Sequence, residues 1–149
     1  MITVERVDAR VILNLRAQIL RPGLTLDAAA YPGDDQPGAV HLAACDELGH
    51  VVGCSTWFPE PWQDRPAWRL RGMATAASVR GSGAGGTLLT TGLALAGAGG
   101  AQSAWANART VALGFYRRYG FETVGPEFLT PQAIPHYLIW RALENTPDQ

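Results

Sequence analysis

The residues best suited to chemistry form a glycine-rich turn just past the middle of the 149-residue chain. The turn runs Arg80-Gly81-Ser82-Gly83-Ala84-Gly85-Gly86 and continues as Thr87-Leu88-Leu89. Glycine lets the backbone turn sharply and brings its N–H groups close to a ligand. Unpaired N–H groups at the start of a helix attract anions, and an arginine adds a fixed positive charge. The pattern therefore predicts a diphosphate site.

Two other nucleotide sites fit this turn less well. Gly81 to Gly86 has the spacing G-x-G-x-x-G of a dinucleotide-binding turn, but that motif follows the first strand of a domain. It also needs a carboxylate about 20 residues later, and the segment Gly99–Ser103 contains none. The phosphate loop of nucleotide hydrolases needs a lysine, and the chain has no lysine. A flexible turn without any ligand remains the alternative.

Two motifs resemble those of the GNAT N-acetyltransferase superfamily, and they occur in the order found in that superfamily. Arg80-x-x-Gly83-x-Gly85, after Met73-Ala74-Thr75, resembles its coenzyme A diphosphate signature R/Q-x-x-G-x-G/A. About thirty residues later, Phe115-Tyr116-Arg117-Arg118-Tyr119-Gly120-Phe121 resembles its late motif F-Y-x-x-x-G-F. The resemblance covers about Ile2 to Arg141. The pieces Trp68–Thr75 and Pro135–Tyr137 are similar to a poorly characterised bacterial branch of the superfamily.

The resemblance implies that acetyl-CoA is the cosubstrate and that no metal takes part. In such a protein the N–H groups of about Val79 to Gly86 face the diphosphate, and Met73–Thr75 pairs with the pantetheine arm. A backbone N–H near Ala74 polarises the thioester carbonyl. The cofactor-binding residues carried over are Met73, Ala74, Thr75, Val79, Arg80, Gly81, Ser82, Gly83, Ala84, Gly85, Gly86, Thr87 and Asn107.

Tyr116 is the candidate catalytic residue, as the general acid that protonates the departing coenzyme A thiolate. The alternative is that Phe115, Tyr116, Tyr119 and Phe121 form an aromatic core cluster. Asn107 departs from the family pattern, because it lies nine residues before Tyr116 and Arg109 holds the usual position seven before. Asn107 either contacts the cofactor or caps the helix predicted from Thr110.

No residue type identifies a general base. Glu60, Asp64, Asp46 and His41 are candidates by location, but an isolated acid in a loop is usually a solvated charge. His136, before the last strand, is interpreted as structural.

Four arginines offer a clue to the acceptor. If Arg16, Arg21, Arg69 and Arg71 line the acceptor cleft, they favour an acidic or carboxylate-bearing amine. Ion pairing with surface carboxylates is the alternative interpretation for at least two of them. Trp57, Trp62 and Trp68, around the proline loop Pro59–Pro66, are expected either to wall an apolar pocket or to form a dimer contact.

The predicted function is direct acetyl transfer from acetyl-CoA to a primary amine of a small molecule or peptide. The alternative is a coenzyme A-binding regulatory protein or degenerate GNAT-fold protein without transferase activity. Missing evidence for a base favours the alternative, whereas Tyr116 and the complete glycine turn favour the enzyme.

Composition narrows the class of protein. The length predicts a single domain over residues 1–149, and the 47% hydrophobic content supports a sizeable core. A net charge of −1 without a basic stripe argues against nucleic acid as a partner. No apolar run reaches the roughly 18 residues of a membrane span, and the N-terminus lacks the apolar core of a signal peptide, so a cytoplasmic protein is expected. Cys45 and Cys54 are expected to be buried free thiols in neighbouring strands.

Periodicity gives the element order βααβββαβαββ. The predicted helices are Ala9–Leu20, Leu24–Ala30, Gly85–Ala98 and Thr110–Tyr119. The predicted strands are Ile2–Val7, Ala39–Cys45, Val51–Phe58, Trp68–Ala76, Ala101–Ala106, one starting at Phe121–Val124, and His136–Leu143. This order calls for an α/β (α+β) fold with a mixed sheet flanked by helices. The resemblance implies six to seven strands, splayed in the middle, and about four helices.

Overall fold

Seven strands and three α-helices are found in the part of the chain that the computed structural model describes, residues 1–20, 30–31 and 33–143. Short 3-10 helices lie at Ala77–Val79 and Thr110–Ala112. The elements in chain order are β1 (Thr3–Val7), α1 (Ala9–Leu20), β2 (Val40–Cys45), β3 (Val51–Pro59), β4 (Ala67–Thr75), α2 (Ala84–Ala98), β5 (Ser103–Arg109), α3 (Leu113–Arg118), β6 (Glu122–Leu129) and β7 (Pro135–Ala142).

The strand order is β1-β2-β3-β4-β5-β7-β6. The parallel pairing of β4 with β5 covers only Ala67–Leu70 and Ser103–Ala106, and both strands continue beyond it. The predicted splay requires such a pairing, in which two neighbouring strands are hydrogen-bonded along only part of their length. The mixed seven-stranded sheet with flanking helices confirms the predicted fold class.

The described residues divide into two units, which we treat separately. The first comprises Met1–Phe58 with Arg71–Leu95, and the second comprises Pro59–Leu70 with Ala96–Gln149. That the whole chain forms one domain stays a prediction.

In the first unit the strands are covered on both faces. The apolar stripe of α1 packs against β2, β3 and β4 in a core of Ile12, Leu15, Ala43, Cys45, Cys54 and Ala74. The other face receives α2, and two glycines make this close packing possible. A Cβ at Gly92 would lie 2.0 Å from Cε2 of Trp57, and one at Gly53 would lie 2.8 Å from Leu88 Cδ1. Trp57 is fully buried, and its indole N–H donates to Ser55 Oγ at 3.0 Å.

In the second unit β5 is central. It pairs in parallel with the first half of β4 and antiparallel with β7 over its whole length, from Ser103↔Ala142 to Arg109↔His136. Alanines at 104, 106 and 108 are buried on this strand together with Ile139 of β7. The short helix α3 follows β5 and carries the aromatic motif.

The sequence predictions hold for most elements, with three differences. Helix α2 begins at Ala84, one residue earlier than predicted. The predicted helix Thr110–Tyr119 is a 3-10 turn followed by the six-residue α3. Strand β5 runs from Ser103 to Arg109 instead of ending at Ala106. The predicted helix Leu24–Ala30 falls on residues of which all but Ala30 lie outside the described part, and Arg21 lies outside it too.

Cys45 and Cys54 are buried free cysteines in the neighbouring strands β2 and β3, as predicted. Among the described residues no helix is both long enough and apolar enough to cross a membrane.

Candidate functional site

The glycine turn has the backbone shape that its sequence predicts. After the 3-10 helix Ala77–Val79, the chain turns through Arg80 to Gly83 and enters α2 at Ala84. Gly81 and Gly83 have φ values of 85° and 91°, a left-handed region that favours glycine. A Cβ at either position would meet no atom within 4 Å. The glycines are thus needed for the turn itself, and the space above them is open for a ligand.

Some of the turn's N–H groups are already used. Those of Val79, Arg80 and Ser82 donate to the carbonyls of Ala76, Ala77 and Val79, and that of Ala84 approaches Ser82 Oγ at 3.4 Å. Thr87 donates to Gly83 O. Within the described residues, the N–H groups without a partner in this stretch are those of Gly81, Gly83, Gly85 and Gly86. Of the N–H groups predicted to face the diphosphate, those of about Val79 to Gly86, the four on glycines are the ones left without an internal hydrogen bond.

Arg80 adds the positive charge at this turn. Its side chain is exposed, and it forms no ion pair with any residue in the described ranges. An exposed guanidinium beside four free N–H groups can bind a diphosphate without first breaking an existing salt bridge.

Strand β4 carries an irregularity before Met73–Thr75. Gly72 has a φ of 63°, and its carbonyl accepts a hydrogen bond from the Cys54 thiol at 3.4 Å. Just after the strand, the Ala76 N–H donates to Val52 O of β3 at 2.8 Å. Successive N–H groups of an extended strand point to opposite edges, so those of Met73 and Thr75 point away from β3. The oxyanion role that the sequence assigned near Ala74 therefore fits the Met73 or Thr75 N–H better.

A buried polar network packs against Gly72, and sequence reasoning missed it. Arg16 is fully buried and makes two contacts with the Asp34 carboxylate, at 2.8 and 3.4 Å. It also donates to Thr56 Oγ1 at 2.7 Å, and its guanidinium lies 4.1 Å from the Tyr31 ring centre. A Cβ at Gly72 would lie 3.0 Å from Arg16 Nε.

His41 completes the network. Its Nε2 lies 2.9 Å from the Asp34 carbonyl, which can only accept, so the ring proton sits on Nε2. Nδ1, 3.0 Å from Thr56 Oγ1, then accepts from that hydroxyl, which in turn accepts from Arg16. His41 and Thr56 are direct partners in the β2–β3 register. Only knowledge of that register could have revealed the pair from sequence.

Tyr116 lies at the centre of an aromatic cluster in the second unit. It packs edge-on against Phe115, with ring centres 5.2 Å apart, and against Phe121 at 5.7 Å. The residue is 7% exposed. Its hydroxyl makes no hydrogen bond to any residue that the structure describes. The core interpretation and the catalytic interpretation are therefore compatible, because the ring packs while the hydroxyl stays unengaged.

Burial also fixes the protonation state of this phenol. It raises the pKa of Tyr116 well above its ordinary value of 10.0, because the phenolate would lose its hydration. The hydroxyl therefore keeps its proton at physiological pH and has it available to donate, as a general acid must.

Asn107 is placed differently from the prediction. It lies inside β5 instead of after it, and its side chain is exposed. It does not cap the following turn, whose N-cap residue is Arg109, without a side-chain capping bond. The capping interpretation is wrong, and a cofactor contact stays a prediction.

Three of the four candidate bases have other partners. Asp46 accepts the N–H groups of Leu48 and His50 in the β2–β3 turn, and the His50 bond is the main reason that the pKa of Asp46 is lowered. Glu60 lies 3.5 Å from Arg69, and His41 belongs to the buried network. Asp64 is exposed in a tight turn with a φ of 63°. His136 donates from Nδ1 to Ile134 O and packs on Phe128, as expected of a structural histidine.

The arginines predicted for an acceptor cleft are engaged as well. Arg16 pairs with Asp34 and Arg69 pairs with Glu60, so the ion-pair interpretation holds for these two. The Arg71 guanidinium lies 4.3 Å from the Tyr31 ring centre. Trp57 is fully buried against Gly92, so it cannot wall an open pocket or form a dimer contact.

The family follows from a match over residues 37–123 to the model described as an acetyltransferase (GNAT) domain. The chain belongs to the GNAT acetyltransferase family. The match includes the glycine turn, Tyr116 and Phe121, and it confirms the resemblance and the prediction of an N-acetyltransferase. A relative, the uncharacterized N-acetyltransferase YitI of Bacillus subtilis, is 28% identical over 149 residues, 98% of this chain and 99% of its own.

Solved GNAT structures share the fold. A GCN5-related N-acetyltransferase from Kribbella flavida superposes with a TM-score of 0.73 at 22% identity, covering 95% of this chain and 98% of its own. An aminoglycoside 6'-N-acetyltransferase complexed with coenzyme A superposes with a TM-score of 0.73 at 15% identity, covering 98% and 99%. At these identities the likeness concerns the fold alone.

Proposed function

We propose that the protein transfers the acetyl group of acetyl-CoA directly to a primary amine of a small molecule or peptide. The observation that carries this proposal is the glycine turn. Four N–H groups in the turn that enters α2, beside Arg80, have no partner among the described residues and form an anion site in a chain of the GNAT family. A protein of the same fold has been solved with coenzyme A, which supports a coenzyme A diphosphate as the anion.

Acetyl-CoA supplies the activated acetyl group when bound. The glycine N–H groups and Arg80 hold the diphosphate, with Val79, Ser82, Ala84 and Thr87 shaping the turn. The edge of β4 at Met73–Thr75 lies along the pantetheine arm. An N–H of Met73 or Thr75 donates to the thioester oxygen, which gains negative charge in the transition state. Asn107 is a weaker candidate contact on the exposed side of β5.

Tyr116 supplies the proton for the leaving group. Its Oη–H has no hydrogen-bond partner among the described residues, and the phenol is protonated at neutral pH, so it has a proton to give to the thiolate as the C–S bond breaks. None of the four candidate bases is marked out for the incoming ammonium, since Asp46, Glu60 and His41 serve other partners and Asp64 is exposed in a tight turn. We therefore propose that the amine enters the reaction already neutral or loses its proton to water.

The lack of an identified base among the described residues also favours a second candidate function, a coenzyme A-binding protein without transferase activity. Thiol release from acetyl-CoA in the presence of a panel of primary amines separates the two. The enzyme should release coenzyme A only when an acceptor is added, and the acetylated amine should appear in equal amount. Binding of acetyl-CoA without turnover on any amine of the panel would support the second candidate.

Ligand binding gives an independent check on the cofactor. Acetyl-CoA should raise the melting temperature, because a ligand that binds only the folded state stabilises it. NADH and ATP should do so much less. Stronger stabilisation by NADH than by acetyl-CoA would contradict the cofactor assignment. The cytoplasmic location, the absence of nucleic-acid and membrane partners, and a homodimer stay predictions.

A further inference from the structure

A cavity of about 320 Å³ lies in the second unit, and none of the residues assigned above to acetyl transfer is among its lining residues. Its volume is at the lower end of the range for small-molecule sites, about 300–1,000 Å³, and suits a ligand with one ring. Six residues line it: Trp62, Gln63, Arg65, Gln102, Ser103 and Trp140.

The polar groups around this cavity are mainly donors, and several lack a partner. Ser103 is 3% exposed, yet its hydroxyl makes no hydrogen bond to any described residue. The buried indole N–H of Trp140 likewise has no acceptor within the described ranges. The Trp140 N–H has almost no accessible surface, so a ligand in the cavity does not reach it. The Ser103 hydroxyl is not closed off in this way and can donate to a ligand with acceptor atoms.

The only formal charge among the described lining residues is positive. Arg65 is exposed and forms no ion pair with any residue in the described part of the chain. Among the described residues no carboxylate lines the cavity, and the nearby Glu60 pairs with Arg69. The site thus favours an anion, and a guanidinium is best matched by a carboxylate.

The aromatic walls are fixed in place by their neighbours. Trp62 packs against Trp105 with ring centres 5.7 Å apart, and Trp105 donates its indole N–H to Glu60 O at 3.1 Å. The Arg69 guanidinium lies 4.8 Å from the Trp105 ring centre. Trp105 and Trp140 are direct partners in the β5–β7 register, so both indoles stand on one face of the sheet. These walls suit a flat ring.

A strained turn holds two of the lining residues. Trp62 and Arg65 exchange backbone hydrogen bonds at 3.0 Å, closing a turn in which Gln63 and Asp64 have φ values of 50° and 63°. Both central residues of this turn type need positive φ, where asparagine and glycine are preferred. Backbone strain of this kind is concentrated at functional sites. Here the strained turn lies between Trp62 and Arg65, and both residues line the cavity.

We infer that this cavity binds a small aromatic carboxylate, with its ring against the indoles and its carboxylate at Arg65. Its oxygens would also accept from the Gln63 and Gln102 amides and from Ser103. All six lining residues belong to the second unit, whereas the glycine turn belongs to the first. The inference does not depend on acetyl transfer and is tested by binding alone.

Phenylacetate and its neutral analogue phenylacetamide are suitable probes. In the full-length protein, phenylacetate should quench tryptophan fluorescence saturably, with a Kd of about 1 mM, as expected of a ligand with few atoms. Phenylacetamide should bind about tenfold more weakly. Equal affinity for the two probes, or no saturable quenching by phenylacetate, would overturn the inference.

Two variants locate the site. Arg65→Gln changes an exposed side chain, so the protein should fold, and it should weaken phenylacetate about tenfold while leaving phenylacetamide unchanged. Trp62→Ala should weaken both probes. Arg118→Gln is the matched control, since this exposed arginine lies over another ring, that of Phe115, at 6.0 Å. A loss of phenylacetate affinity in Arg118→Gln as large as in Arg65→Gln would mean nonspecific charge attraction and would overturn the site.

Discussion

Arg16 and Asp34 form a bidentate ion pair that is almost completely withdrawn from water. The two contacts measure 2.8 and 3.4 Å, and the side chains are 0% and 8% exposed. Removing one partner of such a pair leaves a buried charge without compensation, which is more damaging than losing the attraction itself. The pair is the structural centre of a network that packs against the irregularity of β4.

Asp34→Asn should therefore destabilise the protein by about 3 kcal/mol or more. Urea unfolding measures this change. Asp8→Asn is the control, because Asp8 and Arg10 form an exposed pair at 3.7 Å and such pairs contribute about 0–1 kcal/mol. Similar stability losses in the two variants would mean that burial does not govern the Arg16–Asp34 pair.

Gly92→Ala should be among the most destabilising single-methyl changes in this chain. The added Cβ would lie 2.0 Å from Trp57 Cε2, and Trp57 is fully buried and cannot move without disturbing the packing of α2. We expect a loss of about 3 kcal/mol from overpacking. Gly114→Ala in α3 is the matched control, since its Cβ would meet nothing within 4 Å. There, alanine's higher helix propensity should raise stability by up to about 1 kcal/mol.

Gly83→Val should weaken acetyl-CoA binding by about tenfold or more, measured by calorimetry. The isopropyl group would fill the open space above the turn, and positive φ disfavours any side chain. Gly49→Val, in the β2–β3 turn, controls for that strain. The φ of Gly49 is 84° and that of Gly83 is 91°, and a Cβ at either position would meet no atom within 4 Å. Both variants should lose similar stability, and only Gly83→Val should lose affinity. Unchanged affinity in Gly83→Val would contradict the anion site.

Tyr116→Phe should lower kcat by roughly 10²-fold once an acceptor is known, because a positioned general acid contributes on that scale. The ring packing and acetyl-CoA affinity should change little. Because burial raises the pKa of Tyr116, its ionisation should not set the high-pH limb of the rate profile. The rate loss should instead be constant between about pH 6 and 9. Wild-type turnover in Tyr116→Phe would assign the residue to packing alone.

Cys54 should make the protein less stable in alkaline solution. Burial raises the pKa of this thiol from 9.0 to about 11. Above pH 9 the unfolded chain ionises and the folded one does not, so the unfolded state binds fewer protons and stability falls as pH rises. The loss should total about 3 kcal/mol by pH 11, at 1.36 kcal/mol per unit. Cys54→Ala should flatten this part of the urea midpoint profile, and an unchanged slope would contradict the assignment.

Sequence alone determined the features that depend on local chain chemistry. The glycine spacing at 81–86 predicted a left-handed turn entering a helix, because only glycine adopts those φ values without strain. Alternating and helical periodicities predicted the described strands and helices to within a few residues. Tyr116 was found by its place in the F-Y-x-x-x-G-F motif. That motif is a continuous stretch of sequence, so it can be located without knowing which distant residues pack around it.

Tertiary structure decided what depends on partners far apart in the chain. Arg16 and Asp34 are 18 residues apart, and Arg16 and Thr56 are 40 apart, so no local pattern predicts their ion pair and hydrogen bond. Trp57 was expected near an open pocket, but it is buried in the core, where it packs directly against Gly92 because that residue has no side chain. Asn107 was expected after its strand, but pairing with β7 extends β5 to Arg109. Burial also set the pKa of Tyr116, because desolvation depends on every atom packed around the phenol and not on its neighbours in sequence.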